Sequence, residues 1–304
     1  MHTSQPAEKI RRAIYYGATT FVLVPIVILV ALWQETFLGP VFIPGAILLL
    51  FCLVITRWDM IFYPLPFLLF AVLLIIAYRS GGWMAVASSL IFLALLELIC
   101  RRPGRGDSIV LVFPLNQGTY CVAHGGVYRW LNHHRGSRSQ AYALDIVKLN
   151  QFGVRAKGIC PRPLTAYEIF GDALYAPAPG IVTAVVNDLA DLPPGEMDCQ
   201  HIAGNHIVIR MDASDVSIGL AHLMQGSVRV EVGEQVCAGQ ILGRVGNSGN
   251  TTEPHLHIHA KRGGKPDSML DGEAVPMRFG GRWLIRNSIV RLRAKTGPGY
   301  AVRK

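Results

Sequence analysis

The sequence predicts a chain in two parts: a multi-pass α-helical membrane domain over residues 1–106, then an all-β domain over 107–304. Three observations carry this. Residues 13–34, 37–56, 60–78 and 80–96 contain no charged side chain. A basic junction containing proline and glycine, "CRRPGRGD" at 100–107, ends that texture. Beyond it, short alternating apolar segments are separated by glycine and proline, the pattern of strands and turns.

Each uncharged run is close to the ~20 residues a helix needs to cross a ~30 Å hydrocarbon core. The expected spans are 13–34, 37–56, 60–78 and 80–99, the last weakened by Glu97. Trp33, Trp58, Trp83, Tyr63 and Tyr78 fall near their ends, where interfacial anchors belong. Pro25, Pro44, Pro64 and Pro66 lie inside the runs, which membrane helices tolerate better than soluble ones. A cleaved leader accounts for one run, not four. The net charge is +9, with 8 basic and 4 acidic residues in 1–106 and 21 and 16 in the remainder. Neither part is basic enough for nucleic acid. The excess suits anionic lipid or an anionic wall polymer, so membrane lipid is an expected partner.

Of six cysteines, Cys121, Cys160, Cys199 and Cys237 lie beyond the junction and none forms a CxxC pair, which argues against a zinc ribbon. They are free thiols or up to two disulfides. "SIVLVFPL" (108–115), "APAPGIVTAVVND" (176–188), "GNHIVIRM" (204–211) and "VSIGLAHL" (216–223) each read as a strand, and 228–250 as short strands broken by glycines. Together they suggest a sandwich or barrel-like domain. The polar stretch 187–204 is long for a hairpin loop and reads either as a binding loop or as a surface excursion.

"TTEPHLHIHA" (251–260) places His255, His257 and His259 on one face of a strand, with Leu256 and Ile258 on the other. A catalytic zinc site takes three protein ligands, from imidazole nitrogens and carboxylate oxygens where thiolates are absent. "NHHRGSRSQAYALDIVKL" (132–149) offers His133, His134 and then Asp145 among aliphatics. A carboxylate there is costly unless it is paired or bound to a metal. His222 ends an apolar strand in "GLAHLMQGSV". "GRVGNSGN" has no lysine or following helix for a phosphate loop. His124 reads as structural or solvent-facing. His201 and His206 flank the long loop, as plain surface residues or as groove lining.

These segments resemble the lysostaphin-type, or LytM-like, zinc metallopeptidases. That family's closing motif is close to G-x-[ST]-G-x-[ST]-x-x-P-H-L-H-[FI]-E, and this chain has "GNSGNTTEPHLHIH" from Gly246 to His259. "VGEQVCAGQILGRVG" (232–246), "YAPAPGIVTAVVND" (175–188) and "GEAVPMRFGG" (272–281) are similar to its other blocks, so the resemblance covers roughly 108–285. It implies a duplicated hybrid-motif, lipoyl-like β-sandwich and one Zn2+ per domain. It also implies metal ligands His134 (or His133), Asp145 and His257, with His222 and His255 facing water and substrate as proton carriers or oxyanion donors. Two departures stand out. Ten residues separate His134 from Asp145, where the commoner family pattern has His and Asp three residues apart, and His259 replaces the usual Glu.

The function so implied is a membrane-anchored zinc endopeptidase that hydrolyses peptide cross-links of bacterial peptidoglycan. The runner-up is a non-catalytic wall-binding or hydrolase-activating relative. A lipoyl-like carrier lacks its hairpin-tip lysine. The expected location is the cytoplasmic (inner) membrane, with the peptidase on the wall-facing side. The charge rule opposes this: four spans with an inside N-terminus leave seven flanking basic residues inside and only Arg79 outside, but put the β domain in the cytoplasm. The bond cleaved and the oligomeric state stay open.

Overall fold

The computed structural model describes residues 106–292 except 130, 159 and 213, together with Ala87 and Ile91. The multi-pass α-helical domain expected for the first part is corrected. Among the described residues no helix is long and apolar enough to cross a membrane, and the fold is all-β. Among the described residues α-helical backbone occurs only at Ala87 and Ile91, and apart from these two the runs 13–34, 37–56, 60–78 and 80–99 lie outside the described residues. The physical reason is that an uncharged run has the length to span a bilayer without specifying a helix.

The strands run in chain order as β1 (Ile109–Leu111), β2 (Gly118–His124), β3 (Leu144–Leu149), β4 (Ala173–Tyr175), β5 (Gly180–Val186), β6 (Asn205–Met211) and β7 (Val216–Leu223). They continue as β8 (Gln235–Val236), β9 (Ile241–Arg244), β10 (Leu256–Arg262), β11 (Glu273–Val275), β12 (Met277–Phe279), β13 (Arg282–Trp283) and β14 (Ile289–Leu292). The main sheet has the order β14-β2-β3-β10-β7-β6-β5-β8, with β11 also on β10; β1-β12-β13 and β4-β9 form two small sheets.

"VSIGLAHL" forms β7 over its whole length and is buried throughout. "SIVLVFPL" forms a strand only over Ile109–Leu111. The chain then leaves the ladder: Val112 donates to the Pro177 carbonyl, 2.8 Å, and Pro114 has no N–H to continue the pairing. Leu256 and Ile258 of β10 enter the core with Ile146, Ile207, Ile209, Ile218 and Leu220. Each such side chain contributes roughly 1.5–3 kcal/mol of burial.

Two features of this frame position the site. Strand β10 is central, antiparallel to both β3 and β7, and sets His257 opposite Asp145 on one side and Ala221 on the other. The stretch 187–204 is pinned to the turn before β10: Asn247 donates its backbone N–H to Asp191 Oδ1, 2.6 Å, and its side-chain amide to the Leu192 carbonyl, 2.7 Å. Cys121 is buried, Cys160, Cys199 and Cys237 are exposed, and all four are free thiols.

Candidate metal centre

Directly opposed residues on antiparallel strands bring their side chains together on one face. His257 Nδ1 accordingly lies 2.9 Å from Asp145 Oδ1. The third member arrives from a loop. Asn132, fully buried, accepts the His134 backbone N–H on its side-chain oxygen, 3.1 Å, and caps a short 3-10 turn, His133–Gly136. Its amide nitrogen lies 3.2–3.3 Å from the carbonyls of Gly126, Ala141 and Ala143. One side chain thus ties both ends of the intervening loop together, so the ten residues between His134 and Asp145 do not keep them apart. His134 Nε2 lies 3.0 and 2.9 Å from the two Asp145 oxygens.

Ligand atoms of His134, Asp145 and His257 all lie within 4.8 Å of one another. Two ring nitrogens and a carboxylate, drawn together largely out of water, form a set that a cation between them would satisfy. Two imidazoles and one carboxylate leave a fourth tetrahedral position open, the pattern of a catalytic zinc. Between the two candidate first ligands the geometry favours His134. Its side chain is 14% exposed, whereas that of His133 is 58% exposed with Nε2 3.9 Å from Asp145. His133 instead joins His124 and Asp145 in a second, overlapping group, which gives His124 a place beside the centre that sequence reasoning did not assign.

His222 and His255 flank the three, their ring centroids 4.8 Å apart. His222 Nδ1 lies 2.9 Å from the Ser248 carbonyl and His255 Nδ1 2.9 Å from the Glu253 carbonyl. A carbonyl only accepts, so in each ring the hydrogen-bond network assigns the proton to Nδ1 and leaves Nε2 as the acceptor. His255 Nε2 lies 3.6 Å from Asp145 Oδ1. His222 has φ +62°, a left-handed conformation costing about 1–3 kcal/mol for such a residue. Its N–H donates to the Ala203 carbonyl, 3.1 Å, and its own carbonyl accepts from Gly246, 2.9 Å, so the fold holds it there. The Glu253 turn is fixed by Arg155, which donates Nε and one terminal nitrogen to the two carboxylate oxygens, each 2.6 Å.

Burial sets the charge states. It pushes His257 down to about 3 and His259 down to about 4, and holds His222 well below the ordinary imidazole value. Burial opposes ionisation of Asp145, but the charges of His134 and His255 and contacts with the rings of His134 and His257 keep it well below the usual carboxylate range. The result is an anionic carboxylate close to the neutral rings of His222, His257 and His259, a state suited to binding a cation. His201 is exposed and paired with Asp198, 2.7 Å, and His206 is half-buried with Nδ1 2.7 Å from the Gly204 carbonyl. The sequence singles out neither Asn132 nor Ser248. An Asn beside two candidate ligand histidines was the available signal for the first.

Residues 166–268 match peptidase family M23. The M23 segment contains His222, His255, His257 and His259; His134 and Asp145 precede it and join them through the fold. Several solved structures are similar to the chain, three of them as follows. A zinc-containing peptidase from Vibrio cholerae is 28% identical over 31% of this chain and 24% of its own, with a TM-score of 0.24. The catalytic domain of lysostaphin from Staphylococcus simulans is 22% identical over 37% and 82%, TM-score 0.25. A mutant catalytic domain of the prophage-encoded M23 protein EnpA from Enterococcus faecalis is 20% identical over 58% and 93%, TM-score 0.30. The chain spans about a quarter of the length of the Vibrio peptidase and 40% of that of lysostaphin in solution.

Proposed function

We propose that this protein is a zinc-dependent endopeptidase that hydrolyses peptide cross-links of bacterial peptidoglycan. The observation that carries the reading is the meeting of His134, Asp145 and His257 within 4.8 Å beside two histidines whose Nδ1 atoms are anchored. The M23 match supports the reaction class, and the resemblance to lysostaphin-type sequences supports the substrate.

His134, Asp145 and His257 would hold the metal. Zinc bound there would supply a Lewis acid for the scissile carbonyl and make water a nucleophile near neutral pH. The protein's own residues do the rest. The anchored rings of His222 and His255 present Nε2 lone pairs, so one accepts the proton of the attacking water. Once protonated, that ring donates to the developing oxyanion or to the departing amine. The Ser248 and Glu253 carbonyls keep both rings from rotating away from this task. The wall-facing side of the cytoplasmic membrane is the proposed location, because the substrate lies there. A reporter fused after Lys304 tests it, and a cytoplasmic signal would remove this substrate.

The test is digestion of purified peptidoglycan by the full-length protein, with and without a chelator, beside His257→Ala and with products identified by mass spectrometry. The expected result is chelator-sensitive release of shortened cross-links, absent in the variant. A folded wild-type protein that binds zinc and releases nothing would overturn the substrate. One that binds no zinc would leave a non-catalytic wall-binding or activating protein.

A further inference from the structure

His259 stands where the lysostaphin-type motif usually has Glu, and the reading above gives it no task. It is fully buried on β10, on the same face as His257. Its Nε2 lies 2.9 Å from the Met269 carbonyl oxygen and its Nδ1 lies 3.1 Å from His257 Nε2. Each step of this chain follows from donor and acceptor inventory. The Met269 carbonyl only accepts, so His259 carries its proton on Nε2. A neutral His259 then has an acceptor at Nδ1, so His257 carries its proton on Nε2. A neutral His257 is left with a lone pair at Nδ1, the atom 2.9 Å from Asp145.

A second, independent feature is the space made for this ring. Gly219 of β7 pairs with His259 across the ladder. A Cβ there would come within 2.6 Å of His259 Cε1 and 2.7 Å of Met269 Sδ. Any side chain at 219 would press on the His259 ring and on the end of the Met269 side chain.

We propose that His259 is a positioning residue: a neutral relay from the Met269 carbonyl that fixes the His257 tautomer with the Nδ1 lone pair turned towards Asp145 and His134. The relay does the work usually given to a carboxylate or carbonyl behind a metal-binding histidine, but it adds no charge and passes the restraint through a ring. Gly219 is part of the same device. The inference rests on the metal reading of the centre.

The experiment is zinc affinity of the full-length protein by competition with a chelator, with the chelator-stripped stability of each variant measured alongside. His259→Gln keeps an acceptor for His257 and a donor for Met269, and is expected to bind zinc within about threefold of wild type. His259→Leu removes both, and its folded form is expected to bind about 10–100-fold more weakly, the range for loss of such a partner. Gly219→Ala touches no ligand and is expected to weaken zinc in the same direction. A His259→Leu protein that is less stable but binds zinc like wild type would overturn the relay and leave a packing role. Equal losses in His259→Gln and His259→Leu would also overturn it. Wild-type protein that binds no zinc would defeat the metal reading and this inference together, whereas failure of the relay alone leaves wild-type zinc intact.

Discussion

The two faces of β10 are equally dry and chemically opposite. Leu256, Ile258 and Ala260 are at most 1% exposed, and His257, His259 and Lys261, on the other face, are at most 3% exposed. On the first face burial is its own reward: the side chains need only fit. On the second, every polar atom must find a partner or cost about 1–3 kcal/mol. His259 has a partner at both nitrogens, His257 has one at Nε2, and Lys261 donates to the Lys265 carbonyl, 2.9 Å. The relay leaves His257 Nδ1, 2.9 Å from Asp145, as the one atom whose partner would be a cation. Burial alone does not mark a functional residue here; a buried face that turns a ring nitrogen on a carboxylate does.

The comparison breaks most sharply at the ligands. His257→Ala is expected to abolish both zinc binding and peptidoglycan hydrolysis while the protein still folds, as read by metal stoichiometry and circular dichroism. Retained stoichiometric zinc would show that the ligand set is wrong. Next come the flanking rings. His222→Ala or His255→Ala is expected to keep zinc and lower kcat by about 10²–10⁴-fold, the usual share of a positioned acid or base. Zinc-loaded variants of both that turn over at the wild-type rate would remove the proton-carrier role from the pair.

What the sequence makes legible follows the same division. Alternation is local, so β7 and the shared face of His257 and His259 can be read from the letters alone, whereas His255 lies one residue before β10. Register is not local. That His257 faces Asp145 and His259 faces Gly219 depends on which strands neighbour β10, and a one-residue slip would turn every side chain to the other face. Asn132 and the Met269 carbonyl are harder still, because their roles are set by loops and a backbone carbonyl has no residue-type signal. The membrane helices expected over 13–99 fall, apart from Ala87 and Ile91, outside the described residues, among which no helix is long and apolar enough to cross a membrane.

On the apolar face the expected effect is in stability rather than chemistry. Ile258→Ala should cost about 2–5 kcal/mol in denaturant unfolding. The folded fraction should bind zinc as wild type does. A loss of zinc affinity in fully folded Ile258→Ala would mean that the two faces are coupled through the strand, and that their separation is only geometric.

The smallest effect belongs to His206, on β6 at the margin of the polar face. Burial lowers its pKa from the ordinary 6.5, partly offset by its bond to the Gly204 carbonyl. A histidine whose folded pKa lies below its unfolded value binds fewer protons when folded. Its contribution is therefore complete above about pH 6.5 and is lost as pH falls below that, towards the lowered folded value. His206→Gln cannot take up that proton. In chelator-stripped protein, the fall in the urea midpoint between pH 7.5 and pH 5.5 should be shallower in the variant than in wild type. Identical falls would mean that the acid sensitivity of this face comes from the histidines around Asp145 alone, and that β6 only borders it.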